Sequence, residues 1–285
     1  MAAQSRALFL DAGNVHTFRT AADSYIEHGG EARYLPPIIA HFGDMPIGEI
    51  TPWDIKQMAL ALYPTQSGAT RNRQALTPAR AVLIHAYERG WCPLMRLTRF
   101  KQQAPRRKSP ASPAWLQVFV RQCDQDGLSH LAALVLFMST TGARVSEAVR
   151  LRWPEVDLNG RRVILLRTKT STNSVRDLND AVVTRLRQLA RAPEDRVFSY
   201  LSRHSVNERI KAVCRRAGIT YKSPHLCGRH SFATNALALD MDIKTAMEAG
   251  DWKSSSVFME TYVHVRNASR RVADAFNAVE FSSEL

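Results

Sequence analysis

The stretch His225–Thr234, HLCGRHSFAT, sets His225, Arg229 and His230 within six residues. The residues after them read as an ordinary helix, so three side chains able to carry positive charge gather at its mouth. Such a cluster suits an anion, and the charge of the whole chain points the same way. Its 285 residues carry 39 Lys/Arg against 26 Asp/Glu, a formal net charge of +13. That excess implies a polyanionic partner, either nucleic acid or an acidic membrane surface. Residues 1–100 hold 10 cations against 8 acids, while residues 101–285 hold 29 against 18, so the basic character sits in the second part.

An apolar fraction of 45% is enough to bury a core, and the length suits one large domain or two modest ones. No apolar run is long enough for a bilayer span. The opening MAAQSRALFLDAGN lacks the apolar centre and cleavage site of a signal peptide. The expectation is a cytoplasmic protein without membrane contact. Cys92, Cys123, Cys214 and Cys227 form no CxxC pair and read as small buried hydrophobes rather than disulfides or zinc ligands.

FKQQAPRRKSPASPAW, residues 100–115, holds three prolines, four cations and no acid. It reads as a basic, proline-rich linker over 104–112, between a domain at 1–103 and a domain at 113–285. In the first domain, Thr17 and Thr51 are helix N-caps, the second followed by Pro52 at the first helical position. A long helix, or two joined near Pro78, ends at Gly90. Arg71, Arg73 and Arg80 on it are candidate DNA-contacting residues, as are Lys101, Arg106, Arg107 and Lys108 of the basic segment. In the second domain, apolar spacing gives helices through 112–127, 128–142 and 143–153. RRVILLRTKTSTNSVRDLND then alternates and carries β-branched residues, the pattern of a hairpin. Helices resume to the end. The fold class is mainly α with a small antiparallel β-sheet (α+β).

There is no GxxxxGK[ST] phosphate loop, no HExxH, no GxSxG and no compact acidic cluster for a two-metal site. A phosphoryl-transfer enzyme without metal needs fixed cations instead. They occur in order. In TTGARVSEAVRLRW, Gly142 ends one helix and Arg144 enters the first turn of the next, with Glu147 three residues on and on the same face, placed to hold Arg144 or another site residue. Lys169 lies in the hairpin turn. His225, Arg229 and His230 come next. Trp252 comes after a Gly-Asp turn, where its indole N–H can donate to a phosphate oxygen or pack. Tyr262 closes the series in FMETYVHV.

The order Arg, Lys, His, Arg, Trp, Tyr resembles the tyrosine recombinase, or phage integrase, family, and TGARVSE, RHSFAT and YVHV resemble three of its signature blocks. The resemblance covers residue 112 to the end and extends loosely to the first domain, which is similar to that family's helical core-site DNA-binding domain. It implies a type IB reaction: Tyr262 as the nucleophile that forms a 3′-phosphotyrosyl bond, Arg144 and Arg229 on the nonbridging oxygens, Lys169 as general acid, and His225 assisting proton transfer. Trp252 stands where the family has His or Trp. It further implies double-stranded DNA at recombination sites as substrate, a homotetramer on two duplexes, accessory directionality proteins, and no cofactor, ATP or metal.

Two spacings depart from the family pattern. The usual His-x-x-Arg is one residue longer here, between His225 and Arg229, and the interval from Trp252 to Tyr262 is also one longer. Gly228 and the serines Ser254–Ser256 are the expected places for the extra residues. His225 and His230 both remain open for the histidine role. Three biological readings stay open: integration or excision of a phage or mobile element, Xer-like dimer resolution, and a catalytically inactive DNA-binding protein of the same fold. The expectation from the length of the N-terminal region is that an additional arm-site domain, found in many phage integrases, is not part of this chain.

Overall fold

The computed structural model describes residues 15–103, 109–166, 173–189, 192, 194–263 and 268–277. The chain divides into two compact units, Met1–Arg106 and Arg107–Leu285.

The first unit is helical. Thr17 caps α1 (Phe18–Glu27), accepting from the Thr20 amide at 3.2 Å. Thr51 and Asp54 cap α3 (Pro52–Leu62) reciprocally, at 3.3 Å and 2.8 Å. Each such cap satisfies amides that the first helical turn leaves without partners. Between them lies α2 (Leu35–Phe42), which the sequence pattern did not bring out. Its Pro36 and Pro37 occupy the first turn, where no intrahelical N–H is needed. Phe18, Leu35, Ile38, Ile55, Met58 and Val82 form a closed core. The long helix near Pro78 is three pieces: α4 (Gly68–Arg71), a π-turn (Asn72–Leu76) and α5 (Thr77–Glu88). Buried Asn72 in the π-turn pairs with both backbone groups of Phe100, at 2.8 and 2.9 Å. The beginning of the basic segment is thereby fastened to this unit.

In the second unit, Ser112 caps α6 (Pro113–Gln125). The next helix, α7 (Ser129–Thr141), is buried on nearly every face and forms the centre of the core. A helix apolar all round belongs inside, and α6, α9 (Asp180–Leu189) and α10 (Arg203–Arg216) all pack on it. Gly142, in the left-handed conformation, ends α7. ARVSEAVRLRW yields only one turn, α8 (Val145–Ala148). Strands β1 (Val156–Asp157), β2 (Arg162–Leu165) and β3 (Ser174–Asp177) form an antiparallel sheet in that order. Its inward face pairs Val163 with Arg176 and Leu165 with Ser174. The polypeptide then runs through a π-turn (Leu226–His230), α11 (Ser231–Ala238), α12 (Ile243–Ala249), α13 (Ser255–Tyr262) and α14 (Ala268–Phe276). Among the described residues, no helix is long and apolar enough to cross a membrane.

The end of the expected linker is part of this unit. Lys222 donates to the Ser109 carbonyl at 2.9 Å, and Asn235 to the Ala111 carbonyl at 3.2 Å. The Ala111 amide donates to the Ser231 hydroxyl at 2.7 Å. Ala111 is fully buried while Ser109 and Ser112 are exposed, so one side chain and these hydrogen bonds tie the end of the segment to this unit.

Candidate active site

Arg229 is the centre of the site. Its guanidinium is buried and donates to three backbone carbonyls: Gly142 and Gly250 at 2.7 Å each, and Asp251 at 3.3 Å. Its Cζ lies 3.5 Å from the centroid of the Trp252 ring. A desolvated cation over an indole face is held by about 2 kcal/mol. Burial, reinforced by the nearby Arg144 charge, pulls its pKa down to about 10. The group therefore stays cationic at neutral pH. Three carbonyls disperse that charge without neutralising it, which leaves the site electropositive.

The extra residue between His225 and Arg229 is accommodated by the π-turn, inside which Gly228 has φ −105° and ψ −106°. A π-turn is the way a helix takes up one added residue. The Leu226 carbonyl accepts from the Ser231 hydroxyl at 2.6 Å, which also pins residue 111 to the turn. Gly228 lies against α7, and a Cβ there would come 2.8 Å from Met138 Cβ. Gly228→Ala is accordingly expected to destabilise the protein by about 1–3 kcal/mol in urea unfolding, the usual cost of forcing an atom into a packed core.

Arg144 is the N-cap of α8 rather than a first-turn residue. Its backbone amide and its guanidinium both donate to Glu147, each at 2.7 Å. The Glu147 side chain is 8% exposed and that of Arg144 46%. A buried carboxylate thus holds the base of an arginine whose head remains open to a ligand.

Tyr262 is buried at the end of α13, its ring 4.9 Å from His230, 5.4 Å from Trp252 and 5.1 Å from Phe258. His230 is buried, whereas His225 is exposed with its ring 6.1 Å from that of His230. Trp252 packs: its indole stacks on Phe232 at 6.0 Å and meets Phe258 at 5.1 Å. Only a glycine fits under it, because a Cβ on Gly250 would come 1.8 Å from the indole. Of the serines expected to take up the second added residue, Ser254 is the N-cap of α13, and Ser255 and Ser256 lie within the helix, which begins at Ser255.

The structure thus brings Arg144, Glu147, His225, Arg229, His230, Trp252 and Tyr262 into one region. Lys169 lies outside the described residues, as do Arg106, Arg107 and Lys108. In the first unit, Arg73, Arg80 and Lys101 are exposed, but Arg71 is turned inward. It donates to the Tyr63 carbonyl at 2.9 Å and the Pro64 carbonyl at 2.7 Å, tying a loop to α4. Among the described residues, no group of three or more His, Cys, Asp or Glu side chains is arranged to hold a metal ion.

Sequence reading passed over Arg176. This β3 residue is 3% exposed and donates at 3.1 Å to the same Gly250 carbonyl that Arg229 uses. Its carboxylate neighbour is Asp251, at 3.8 Å. The signal was present in the alternation of the strand, which puts an arginine on the face that carries Val163 and Leu165.

Residues 116–269 match the model of the phage integrase family. The curated tyrosine recombinase XerD of Bifidobacterium longum (strain NCC 2705) is 33% identical over 153 residues, a match spanning 47% of this chain and about half (49%) of that protein's length. Among solved structures, the Tn1549 transposon integrase in complex with a circular intermediate DNA superposes with a TM-score of 0.72 at 16% identity, covering 92% of this chain and 99% of that one. A lambda integrase dimer bound to a COC′ core site gives 0.69 at 15% identity, covering 92% and 80%. These two likenesses concern the fold. The family model spans more than half of the chain, and with the ordered site residues it places this protein in the phage integrase family of tyrosine recombinases.

Proposed function

We propose that this protein is a site-specific DNA recombinase that cuts and rejoins strands through Tyr262. The observation that carries the reading is the convergence of a buried, charged Arg229 and an anchored, open-headed Arg144 on the region that holds Tyr262. The Tyr262 oxygen attacks a DNA phosphorus, the bond to the 5′-oxygen breaks, and a 3′-phosphotyrosyl ester forms. The phenolic proton leaves through the histidine pair, and the 5′-oxygen gains a proton from Lys169. A partner strand's 5′-hydroxyl then reverses the step. One phosphoester replaces another, so the cycle needs no energy input from ATP. Charge growing on the nonbridging oxygens meets two guanidiniums, each such donor contributing roughly a hundredfold or more in rate.

The substrate is double-stranded DNA, engaged by both units, with four protomers on two duplexes. The structural likeness to a transposon integrase favours integration or excision of a mobile element. The sequence likeness to XerD favours dimer resolution as the second reading. A duplex nicked beside the cleavage site tests the chemistry, because the freed 5′-end diffuses away and traps the covalent adduct. The expected result is an adduct on Tyr262 that forms at the same rate in excess EDTA. An adduct on another residue, or none once divalent ions are chelated, overturns the reading. Sequencing the trapped DNA ends separates the two biological roles.

Exposed Arg73 and Arg80 are proposed phosphate contacts. Each change to Ala is expected to lower the slope of log Kd against log salt by about 1. Fluorescence anisotropy across a salt series measures it, and an unchanged slope removes these residues from the interface.

A further inference from the structure

Two buried guanidiniums share one carbonyl. Arg176 reaches from β3 to Gly250 at 3.1 Å, and Arg229 reaches the same oxygen at 2.7 Å. The other Arg176 contacts keep its head in place: the Ser174 hydroxyl accepts at 2.6 Å and the Val175 carbonyl at 3.1 Å. Asp251 supplies the counter-charge, 3.8 Å from Arg176 and 2.9 Å from exposed Lys253. Asp251 is also in the left-handed region, with φ 53°. Its carbonyl accepts from Arg229, and the next residue is the tryptophan under which Arg229 lies. The turn at 250–252 therefore makes most of the cradle of Arg229, and a strand residue holds that turn.

A buried arginine is a costly way to hold a turn. Desolvating the charge takes several kcal/mol, and an apolar residue of similar size would often serve stability as well or better. The arrangement makes sense if the position of the cradle matters more than its stability. We infer that Arg176 is a positioning residue for the cleavage reaction, locking the Gly250–Trp252 turn through Gly250 and Asp251 so that Arg229 presents its guanidinium to the scissile phosphate. This rests on the proposed role of Arg229 as a donor to that phosphate.

The test uses single-turnover adduct formation by the full chain, normalised to the folded fraction, on two nicked duplexes. One carries an ordinary scissile phosphate and the other a methylphosphonate. A methylphosphonate has no charged nonbridging oxygen, so the guanidinium's position matters less on it. Arg176→Met is expected to slow the phosphodiester about 10- to 100-fold and the methylphosphonate less than about 3-fold, since the loss acts through one electrostatic donor. Arg176→Lys should restore part of the rate. Asp251→Asn keeps the backbone preference for a left-handed residue and removes the counter-charge, and it should show the same substrate dependence if Arg176→Met folds poorly. DNA affinity should stay within about 2-fold, because neither side chain is proposed to touch phosphate. Equal slowing on both substrates, or a wild-type rate for both variants, overturns the proposal while leaving Tyr262 chemistry intact. A wild-type protein that forms no Tyr262 adduct overturns the parent reading and this one with it.

Discussion

Tyr262→Phe is expected to abolish the covalent protein–DNA adduct, a loss of more than about 10⁴-fold, because the change removes the only atom proposed to bond to phosphorus. The fold should barely notice. The ring is buried against His230, Trp252 and Phe258, and phenylalanine keeps all of that packing. Losing a single hydroxyl costs about 1 kcal/mol at most when its partner can rehydrate. Thermal unfolding should therefore stay within a few degrees of wild type, and DNA binding by gel shift should be unchanged. Full binding with no adduct on a nicked duplex is the expected pair of results. An adduct that persists means that another nucleophile acts.

Arg229→Met is the second large effect. Single-turnover cleavage should fall about 100-fold or more, the loss typical of one donor to a developing oxyanion. Stability moves in two opposing directions. The Gly142 and Asp251 carbonyls lose the Arg229 donor, at about 1–3 kcal/mol each if they stay buried and unpaired. Gly250 keeps its hydrogen bond from Arg176. Against this, an apolar side chain avoids the cost of burying the charge. The net change is expected to be a few kcal/mol in urea unfolding, so rates must be compared per folded molecule. Arg229→Lys should recover little, because an ammonium cannot direct fixed donors at three carbonyls and also lie flat on an indole. Recovery of the full rate by lysine would show that charge alone, without the planar fork, is what the site needs.

Much of the site could be read along the chain because its parts are short local patterns. RHSFAT places Arg229 beside the helix it introduces, and TGARVSE puts Glu147 one turn from Arg144, which is where the ion pair forms. The glycine before Arg229 was the expected place for the added residue, and it lies inside the π-turn of Leu226–His230 with non-helical backbone angles. The distinction between Arg71 and its neighbours was not legible. All three arginines lie on exposed-looking helical sequence, and only the loop at Tyr63–Pro64, folding back over α4, engages one of them.

What the sequence determined by itself is whatever depends on neighbours within a turn or two: the caps at Thr17 and Thr51, the largely apolar α7, the alternating hairpin, and the order of the cations. What only the tertiary structure decided is which carbonyls surround Arg229, that His230 rather than His225 lies against Tyr262, and that Arg176 shares an acceptor with Arg229 across 53 residues. The reason is the range of the forces involved. Capping and periodicity act through bonds a few residues apart, whereas a buried guanidinium takes its partners from whatever backbone the packed core leaves without hydrogen bonds, and that set does not exist until α7, β3 and the turn at 250–252 have come together.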